Sequence, residues 1–256
     1  MKLQLIRNAT LRLNYAGQEI LIDPYFAPKH SLPSYTAKSS NPLVELPLPI
    51  ETILKDVSLV TVSHLHSDHF DTVAQQEVPK TLPLFCQPGN EDIIRGKGFQ
   101  QVMPITDEVT WEGIHITRTG GHHGLGYVET QMGKVSGFVL QADGEPIIYW
   151  AGDTVVCSEV KQSIERFHPD VIVTHSCGAK WLDDHNERQL IVMDAEQTVA
   201  TCKSAPKSVV IATHMEALDH ATVSRADLRA AAEQAGISAL RLRIPADGEM
   251  IELARQ

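Results

Sequence analysis

Short apolar runs recur along the chain, and several end abruptly at polar residues of the kind that bind metals. Leu59–Val62, Val171–Val173 and Val209–Ala212 are rich in β-branched residues, which is typical of strands buried on both faces. The residues reached just after these runs are His64, His175, His214 and, after the run Ile147–Trp150, Asp153. Because α/β proteins build active sites at strand ends, the pattern predicts one shared site.

The first 22 residues predict strands, and later segments carry helix boundary signals. Lys2–Ile6 and Thr10–Asn14 alternate in polarity, and Ile20–Ile22 stops at Asp23-Pro24 because proline cannot donate to a strand ladder. Three helices are predicted: Glu159–Phe167 behind an N-cap at Ser158, one from a cap at Asp194 with Gln197 through about Ser204, and one from Ser224 with Asp227 to Gly236. Both kinds of element occur in each half, which predicts two similar α/β halves packed sheet to sheet.

Residues 27–56 differ in composition from the rest of the chain, because they contain five of the fourteen prolines among serines and threonines. A stretch of this length is too long for an ordinary connection, so it is interpreted as a lid, a binding loop or an oligomer contact. No segment has the composition of a linker between domains. We therefore expect a single domain over residues 1–256 with a Pro-rich loop insertion at about 27–56.

Composition narrows the class of protein. Hydrophobic residues make up 43% and charged residues 21%, and no apolar run approaches the roughly 18 residues that span a bilayer, so no membrane partner is expected. A formal net charge of −10 argues against nucleic-acid binding, which relies on clustered cations. Four widely spaced cysteines predict no disulfide framework and a cytoplasmic location. Twelve histidines point to metal chemistry.

The segment His64-x-His66-x-Asp68-His69 carries the most specific signal in the chain. Side chains two apart in an extended segment point the same way, so His64 and His66 can converge on one ion. Asp68 and His69 follow where the chain turns and can reach a neighbouring ion. Imidazole nitrogens and carboxylate oxygens suit zinc, and also manganese or iron.

Further candidate ligands lie at later turns and strand ends. They are His122 or His123 in a Gly-Gly-His-His-Gly turn, Asp153 after a glycine, and His214. Glycines beside the two histidines permit the tight backbone that brings a loop onto an ion. Together these residues supply up to seven ligands, which suits two metals sharing a carboxylate. Coordination positions would then stay open, and an open position indicates catalysis.

These motifs, in this order, resemble those of the metallo-β-lactamase superfamily. The resemblance implies a four-layer αββα sandwich with a dinuclear site between the two sheets. It implies that one metal is held by His64, His66 and a histidine of the glycine-rich turn, and the other by Asp68, His69 and His214, with Asp153 bridging. Asp23 matches a carboxylate that supports the ligands. The segment Met132–Phe138 resembles the branch of bacterial hydrolases related to L-ascorbate-6-phosphate lactonase.

Three histidines keep two interpretations each. His123 is preferred over His122 as the ligand because relatives place the ligand directly before glycine, which leaves His122 to face the substrate or support the ligands. His175 is either a substrate contact or proton donor, or a structural histidine. His220 is either a ligand-supporting or substrate contact, or a surface residue.

The predicted function is metal-dependent hydrolysis of a small-molecule ester, lactone, amide or phosphoester. A hydroxide held between two divalent ions, most simply Zn²⁺ with Mn²⁺ or Fe²⁺ as alternatives, would attack the substrate. Asp68 would orient the water or accept its proton, and His175 or His220 would assist the leaving group. The alternatives are a metal-stabilised scaffold or sensor without catalysis, and a phosphodiesterase or nuclease. Relatives often assemble, so a homo-oligomer is also considered.

Overall fold

Two mixed β-sheets face each other in the computed structural model, which describes residues 1–254. The strands of the first sheet are β1 (Lys2–Arg7), β2 (Thr10–Tyr15), β3 (Gln18–Ile22), β4 (Leu59–Val62), β5 (Pro83–Cys86), β6 (Gln101–Pro104) and β16 (Met250–Glu252). Those of the second are β7 (Glu108–Trp111), β8 (Ile114–Thr119), β9 (Gly137–Gln141), β10 (Ile148–Trp150), β11 (Val171–His175), β14 (Val209–Thr213) and β15 (Leu242–Arg243). A separate small hairpin pairs β12 (Lys180–Leu182) with β13 (Arg188–Leu190).

Helices cover the outer faces of both sheets. Their bounds are α1 (Ile50–Leu54), α2 (Thr72–Glu77), α3 (Glu91–Gly96), α4 (Tyr127–Met132), α5 (Ser158–Phe167), α6 (Ala195–Ser204) and α7 (Arg225–Gln234). Within residues 1–254, no helix is both long enough and apolar enough to cross a bilayer.

The two sheets repeat one plan. In each, an antiparallel meander passes into a parallel set: β1, β2 and β3 lead to β4, β5 and β6, and β7 to β10 lead to β11, β14 and β15. The predicted pair of similar α/β halves is therefore confirmed. Parallel strands end at the same edge of their sheet, so the residues after β3, β4, β10, β11 and β14 can meet.

Three apolar clusters produce four layers. The largest lies between the sheets and includes Leu11 from one and Trp150 from the other. A second packs α1, α2 and α3 on the outer face of the first sheet, and a third packs α5, α6 and α7 on the second. The predicted αββα sandwich in a single domain is confirmed, and residues 255 and 256 of the predicted domain lie outside the described range.

Local signals placed three of the seven described helices, α5, α6 and α7, to within a residue or two. Asp194 accepts a hydrogen bond from the Gln197 N–H, and Ser224 forms a capping box with Asp227, as predicted. The N-cap predicted for α5 is wrong by one residue, because Cys157 occupies that position and Ser158 begins the helix. The Ser158 hydroxyl donates instead to the Glu159 carboxylate.

The Pro-rich segment runs over the surface with little regular structure before α1. Its one isolated β-bridge among the described residues pairs Leu32 with Asn41. The buried Arg7 guanidinium donates to the backbone carbonyls of Tyr25, Ala27 and Val44, which fastens the start and the middle of the segment to the first sheet.

Candidate metal centre

Side chains from the ends of five strands and the turns after them converge at one edge of the sandwich. Asp23 follows β3, His64 follows β4, Asp153 follows β10, His175 ends β11 and His214 follows β14. All five are nearly or fully buried. This confirms that the apolar runs deliver their polar end residues to a single place.

Asp153 lies at the centre of this cluster, and its Oδ2 atom faces three imidazoles. It is 3.1 Å from His69 Nε2, 3.4 Å from His123 Nε2 and 3.8 Å from His64 Nε2. Its other oxygen, Oδ1, faces a second set. His175 Nδ1 donates to Oδ1 at 2.5 Å, and His214 Nε2 lies 3.8 Å from it.

The donor atoms form two groups that share Asp153. In each group the ligand atoms lie within 4.8 Å of one another; the first is His64, His66, His123 and Asp153, and the second is His69, Asp153, His175 and His214. Asp68 adjoins the second group, since its Oδ2 is 3.1 Å from His214 Nε2 and 3.7 Å from His69 Nε2. The predicted ligands are thus all brought together.

One chain of hydrogen bonds behind the cluster sets the orientation of two of these rings. His69 Nδ1 and the Ser63 hydroxyl both donate to Asp23 Oδ2 at 2.7 Å. Because the Ser63 proton is used in this way, His64 Nδ1 is the donor to Ser63 Oγ at 2.9 Å. Both rings therefore present Nε2 to the interior, as ligands with a supported Nδ1 commonly do.

His123 and His214 are held in the same sense by other partners. His123 Nδ1 donates to the Ile191 carbonyl at 2.7 Å, and His214 Nδ1 lies 3.5 Å from Cys177 Sγ. Their Nε2 atoms also face Asp153. The buried His64 Nε2 has no hydrogen-bond partner among the described residues. A buried nitrogen left without a partner is costly unless a ligand satisfies it, so the donor set fits a bound cation.

The electrostatics suit metal binding. Burial and the neighbouring His69 hold the pKa of His64 well below its usual value, and burial lowers the pKa of His123 to about 4. Burial alone would raise the pKa of Asp153, but His69 and His214 outweigh it and hold that pKa well below the ordinary range. Neutral His64 and His123 beside an ionised Asp153 are the ligand forms that divalent zinc, manganese and iron take. The nearby carboxylates raise the pKa of His69 to about 10 and that of His214 well above its usual value, so these two imidazoles would release a proton on binding a cation.

Backbone conformations at the site are ones that most residues avoid. Asp23 and His214 have φ of 47° and 62°, in the left-handed region where residues other than glycine are uncommon. Gly152 precedes Asp153 with φ of 70°, and a Cβ there would lie 2.7 Å from the Ser136 carbonyl oxygen. Such conformations cluster at functional sites because the surrounding structure holds them.

The two adjacent histidines of the glycine-rich turn point to different surroundings. His123 is buried in the cluster, whereas His122 is 30% exposed and lies between two carboxylates. Its Nδ1 donates to Glu129 at 2.5 Å and its Nε2 to Glu159 at 3.3 Å. With Cys157, His122 and Glu159 form a third group of potential ligand atoms. This geometry favours His123 as the ligand and turns His122 away from the position expected for substrate contact.

His175 and His220, which each had two interpretations on the sequence, also lie in different surroundings. His175 is fully buried and directed at Asp153, and its ring packs edge-on against Trp150. His220 lines a cavity of about 160 Å³ beside the cluster, and its buried Nδ1 has no hydrogen-bond partner among the described residues. His220 therefore faces the cavity, whereas His175 faces Asp153.

The cavity combines an apolar wall with polar groups near the metal ligands. Its lining residues are Tyr35, His66, Ser67, Asp68, His123, Met132, Asp153, Trp181, Ile191 and His220. Met132, Trp181 and Ile191 form the apolar part. No lysine or arginine belongs to this described lining.

Three further residues near the site were not predicted from the sequence. The side-chain amide of Asn8 donates to the Asp68 backbone carbonyl, and the Asn8 backbone carbonyl accepts from the His214 N–H. These two bonds connect the two sheets. Ser63 relays between Asp23 and His64, and Tyr35 enters the cavity from the Pro-rich segment. The signal for Asn8 was its place in the short turn between two predicted strands; no local pattern distinguishes Tyr35 from its neighbours.

The sequence is similar to one protein family and to several known proteins. The profile of the beta-lactamase superfamily domain matches residues 18–215. The UPF0173 protein YddR of Bacillus subtilis (strain 168) is 35% identical over 255 residues, which covers 97% of this chain and 98% of that protein. A UPF0173 metal-dependent hydrolase of Xanthobacter autotrophicus is 27% identical over 183 residues, covering 67% of this chain and 70% of that one.

Two solved structures are similar over nearly the whole chain. An isothiocyanate hydrolase from Delia radicum gut bacteria is 36% identical with a TM-score of 0.91, and all of both chains is covered. A structure described as a possible metal-dependent hydrolase from Veillonella parvula is 32% identical with a TM-score of 0.93, and 99% of each chain is covered.

Proposed function

The chain belongs to the metallo-β-lactamase superfamily and to its UPF0173 metal-dependent hydrolase family, and we propose that it hydrolyses small molecules with the help of two divalent metal ions. One observation carries the proposal. Asp153 belongs to both groups of donor atoms. Its Oδ2 faces His64, His69 and His123, and its Oδ1 faces His214. A carboxylate in that position is suited to link two cations.

We assign the ligands as follows from the two groups of donor atoms. One ion would be held by His64, His66 and His123, the other by Asp68, His69 and His214, and Asp153 would contact both. Zinc is the first candidate because imidazole-rich sets with carboxylates suit it, and manganese and iron are the alternatives.

When bound, two such ions lower the pKa of a water molecule towards about 7 and polarise the bond under attack. The protein residues prepare that chemistry. Asp23 and Ser63 hold the rings of His69 and His64 in place from behind. Asp68 lines the cavity, where its carboxylate would orient the attacking water or accept its proton. The buried surroundings strengthen each of these interactions.

The two remaining histidines take different roles in this proposal. His220 faces the cavity and would deliver a proton to the leaving group. His175 donates to Asp153 and would keep its carboxylate in the bridging orientation. This assigns only one of the two histidines to the substrate, whereas both were candidates on the sequence.

Isothiocyanates are the first substrates to test. The cavity has an apolar wall and no cationic lining residue among those described, and the isothiocyanate hydrolase covers this chain in full. In that reaction water adds to R–N=C=S to give R–NH–C(=O)–SH, which separates into an amine and carbonyl sulfide. Esters, lactones and amides present a similar electrophilic carbon. The lactonase-like branch, which would favour a phosphorylated lactone, stays a prediction, as do a homo-oligomer and a cytoplasmic location.

The test combines metal content with turnover. Protein purified without chelator is analysed for bound metals, and the same sample is assayed with phenethyl isothiocyanate, phenyl acetate, a γ-lactone, an anilide and bis-p-nitrophenyl phosphate. We expect about two divalent ions per chain and hydrolysis of at least the first substrate or an ester. Two bound metals without turnover of any substrate would instead support the scaffold or sensor alternative, and preference for the phosphodiester would support the phosphodiesterase alternative.

A further inference from the structure

The Pro-rich segment places one side chain in the cavity, and that side chain ends beside the metal-binding motif. Tyr35 lines the cavity with His66 and Asp68. Its hydroxyl oxygen lies 2.8 Å from Ser67 Oγ, and either oxygen can be the donor. Because Ser67 stands between two proposed metal ligands in the sequence, the phenol oxygen is held at the edge of the reaction centre.

The position of Tyr35 is set by hydrogen bonds from the surrounding loop to the Asp219 carboxylate and by one ring contact. The Asp219 carboxylate accepts from the Tyr35 N–H and the Thr36 N–H at 3.0 Å each, and from Asn41 Nδ2 at 3.0 Å. The Tyr35 ring packs edge-on against His220, with ring centroids 4.9 Å apart. The segment is therefore anchored at the point where it enters the cavity, and the Tyr35 hydroxyl is held in a defined position.

We propose that Tyr35 is a catalytic residue whose hydroxyl donates a hydrogen bond to the substrate atom that takes up negative charge as water adds. The inference rests on the proposed hydrolase function and deepens it. With an isothiocyanate, the new bond joins the water oxygen to the central carbon, and the C=N π electron pair moves to nitrogen. Tyr35 keeps its proton throughout, because the two protons of water end on nitrogen and sulfur.

On substrate binding, the Tyr35 hydroxyl would exchange its hydrogen bond with Ser67 for one with the substrate. Ser67 is exposed and its hydroxyl can either donate or accept. A substrate atom can thus replace it as the acceptor for Tyr35 without leaving a buried polar group unpaired. A phenol also remains protonated at neutral pH, so it is a donor at every pH at which the enzyme is expected to work. Donors aimed at developing charge are among the largest contributors to catalysis.

The experiment compares Tyr35→Phe with Tyr127→Phe in the metal-loaded enzyme. Tyr127 is 47% exposed and outside the cavity lining, so it controls for loss of a tyrosine hydroxyl elsewhere. Loss of a hydrogen bond to a charged atom should lower kcat of Tyr35→Phe by roughly 10- to 100-fold. KM should change by less than about threefold, since the bond strengthens only as charge develops. Tyr127→Phe should stay within about twofold of the parent.

Two further measurements separate a direct role from a structural one. Metal content by elemental analysis and the thermal midpoint should match the parent in Tyr35→Phe. With para-substituted phenyl isothiocyanates, or phenyl acetates if those turn over faster, the variant should depend more steeply on electron withdrawal, because its own donor is gone. Unchanged kcat, or a loss of kcat accompanied by lost metal, overturns the inference. If the parent with two metals hydrolyses nothing, the proposed function itself fails, which is a distinct result.

Discussion

The two sides of the cavity are built in different ways. The metal side consists of side chains at strand ends and in the turns after them, almost all of them buried, with His66 half-buried. Four of its imidazoles, those of His64, His69, His123 and His214, are held from behind by a serine, a carboxylate, a carbonyl and a thiol. The loop side consists of Tyr35 and His220, brought in by segments without regular structure and joined through Asp219. The sheets thus fix the reaction type, whereas the loops are free to change the substrate.

The forces that hold the two sides differ accordingly. Strands β4, β10, β11 and β14 run through the apolar clusters inside and outside the sheets, so their ends are positioned by the whole fold. The loop side rests on a small separate apolar cluster, in which Tyr35 packs near Ala217 and Leu218, and on polar contacts to the Asp219 carboxylate. Changes on one side should therefore leave the other intact, and three predictions test this separation.

The largest effect is expected from Asp153→Asn. An amide cannot replace a carboxylate that faces two sets of imidazoles, so metal content should fall from about two ions to one or fewer and kcat/KM by roughly 10³-fold or more. Elemental analysis and steady-state kinetics measure both. Asp183→Asn, on the exposed turn between β12 and β13, is the matched control and should match the parent. Retention of both metals and full turnover in Asp153→Asn would refute the shared-carboxylate site.

The adjacent histidines of the glycine-rich turn provide a sharper test. His123→Gln should lose one metal and lower kcat/KM by roughly 100-fold or more, because its Nε2 faces Asp153. His122→Gln should keep both metals, since its partners are Glu129 and Glu159 on half-exposed helix positions, and such pairs contribute at most about 1 kcal/mol to stability. The reverse pattern of metal loss would assign His122 as the ligand.

The smallest effect concerns the loop side. Asp219→Asn should leave metal content unchanged, lower kcat by less than Tyr35→Phe, and reduce the free energy of unfolding by about 2 kcal/mol at pH 7. Urea denaturation followed by tryptophan fluorescence measures the last quantity. Asp227→Asn, which weakens the capping box of α7 outside the cavity lining, should lower stability without changing kcat. Loss of metal in Asp219→Asn would show that the two sides are coupled.

The same variant has an expected pH dependence. Burial acts to raise the pKa of Asp219. Hydrogen bonds from Ser34, Thr36 and Asn41 outweigh burial and hold this pKa well below its usual value. Because the folded-state pKa lies below the unfolded value of about 4, the carboxylate stabilises the fold fully above that pH and loses its effect on acidification. The stability difference between parent and Asp219→Asn should therefore be constant from pH 7 to pH 5 and narrow by about pH 3.

Local pattern was sufficient for the elements that carry the metal side. The strands before His64, Asp153 and His214 were predictable because each is a short apolar run that ends at a polar residue, and burial on both faces leaves that signature. The helix caps at Asp194 and Ser224 were equally local. The N-cap of α5 was misplaced by one residue because its actual N-cap, Cys157, makes no side-chain cap bond that a sequence pattern could reveal, and helix ends are defined only to within a residue or two.

The loop side could not be predicted in the same way. Tyr35 has no periodic context, and its anchor Asp219 is 184 residues away. Nothing local in the sequence selects that pair, since loop closure of such length is decided by the fold as a whole. The roles of His122, His175 and His220 were open for a similar reason: each is a histidine at a plausible place, and only its neighbours in space distinguish it.

The sequence by itself determined the apolar strands that lead to His64, Asp153, His175 and His214, three of the described helices and the candidate metal-binding motif, because periodicity and residue type are written along the chain. The tertiary structure decided which imidazole nitrogen points inward, which of two neighbouring histidines meets Asp153, and which loop residue enters the cavity. Those outcomes depend on hydrogen bonds and packing between residues far apart in sequence, whose energies exist only once the two sheets have met.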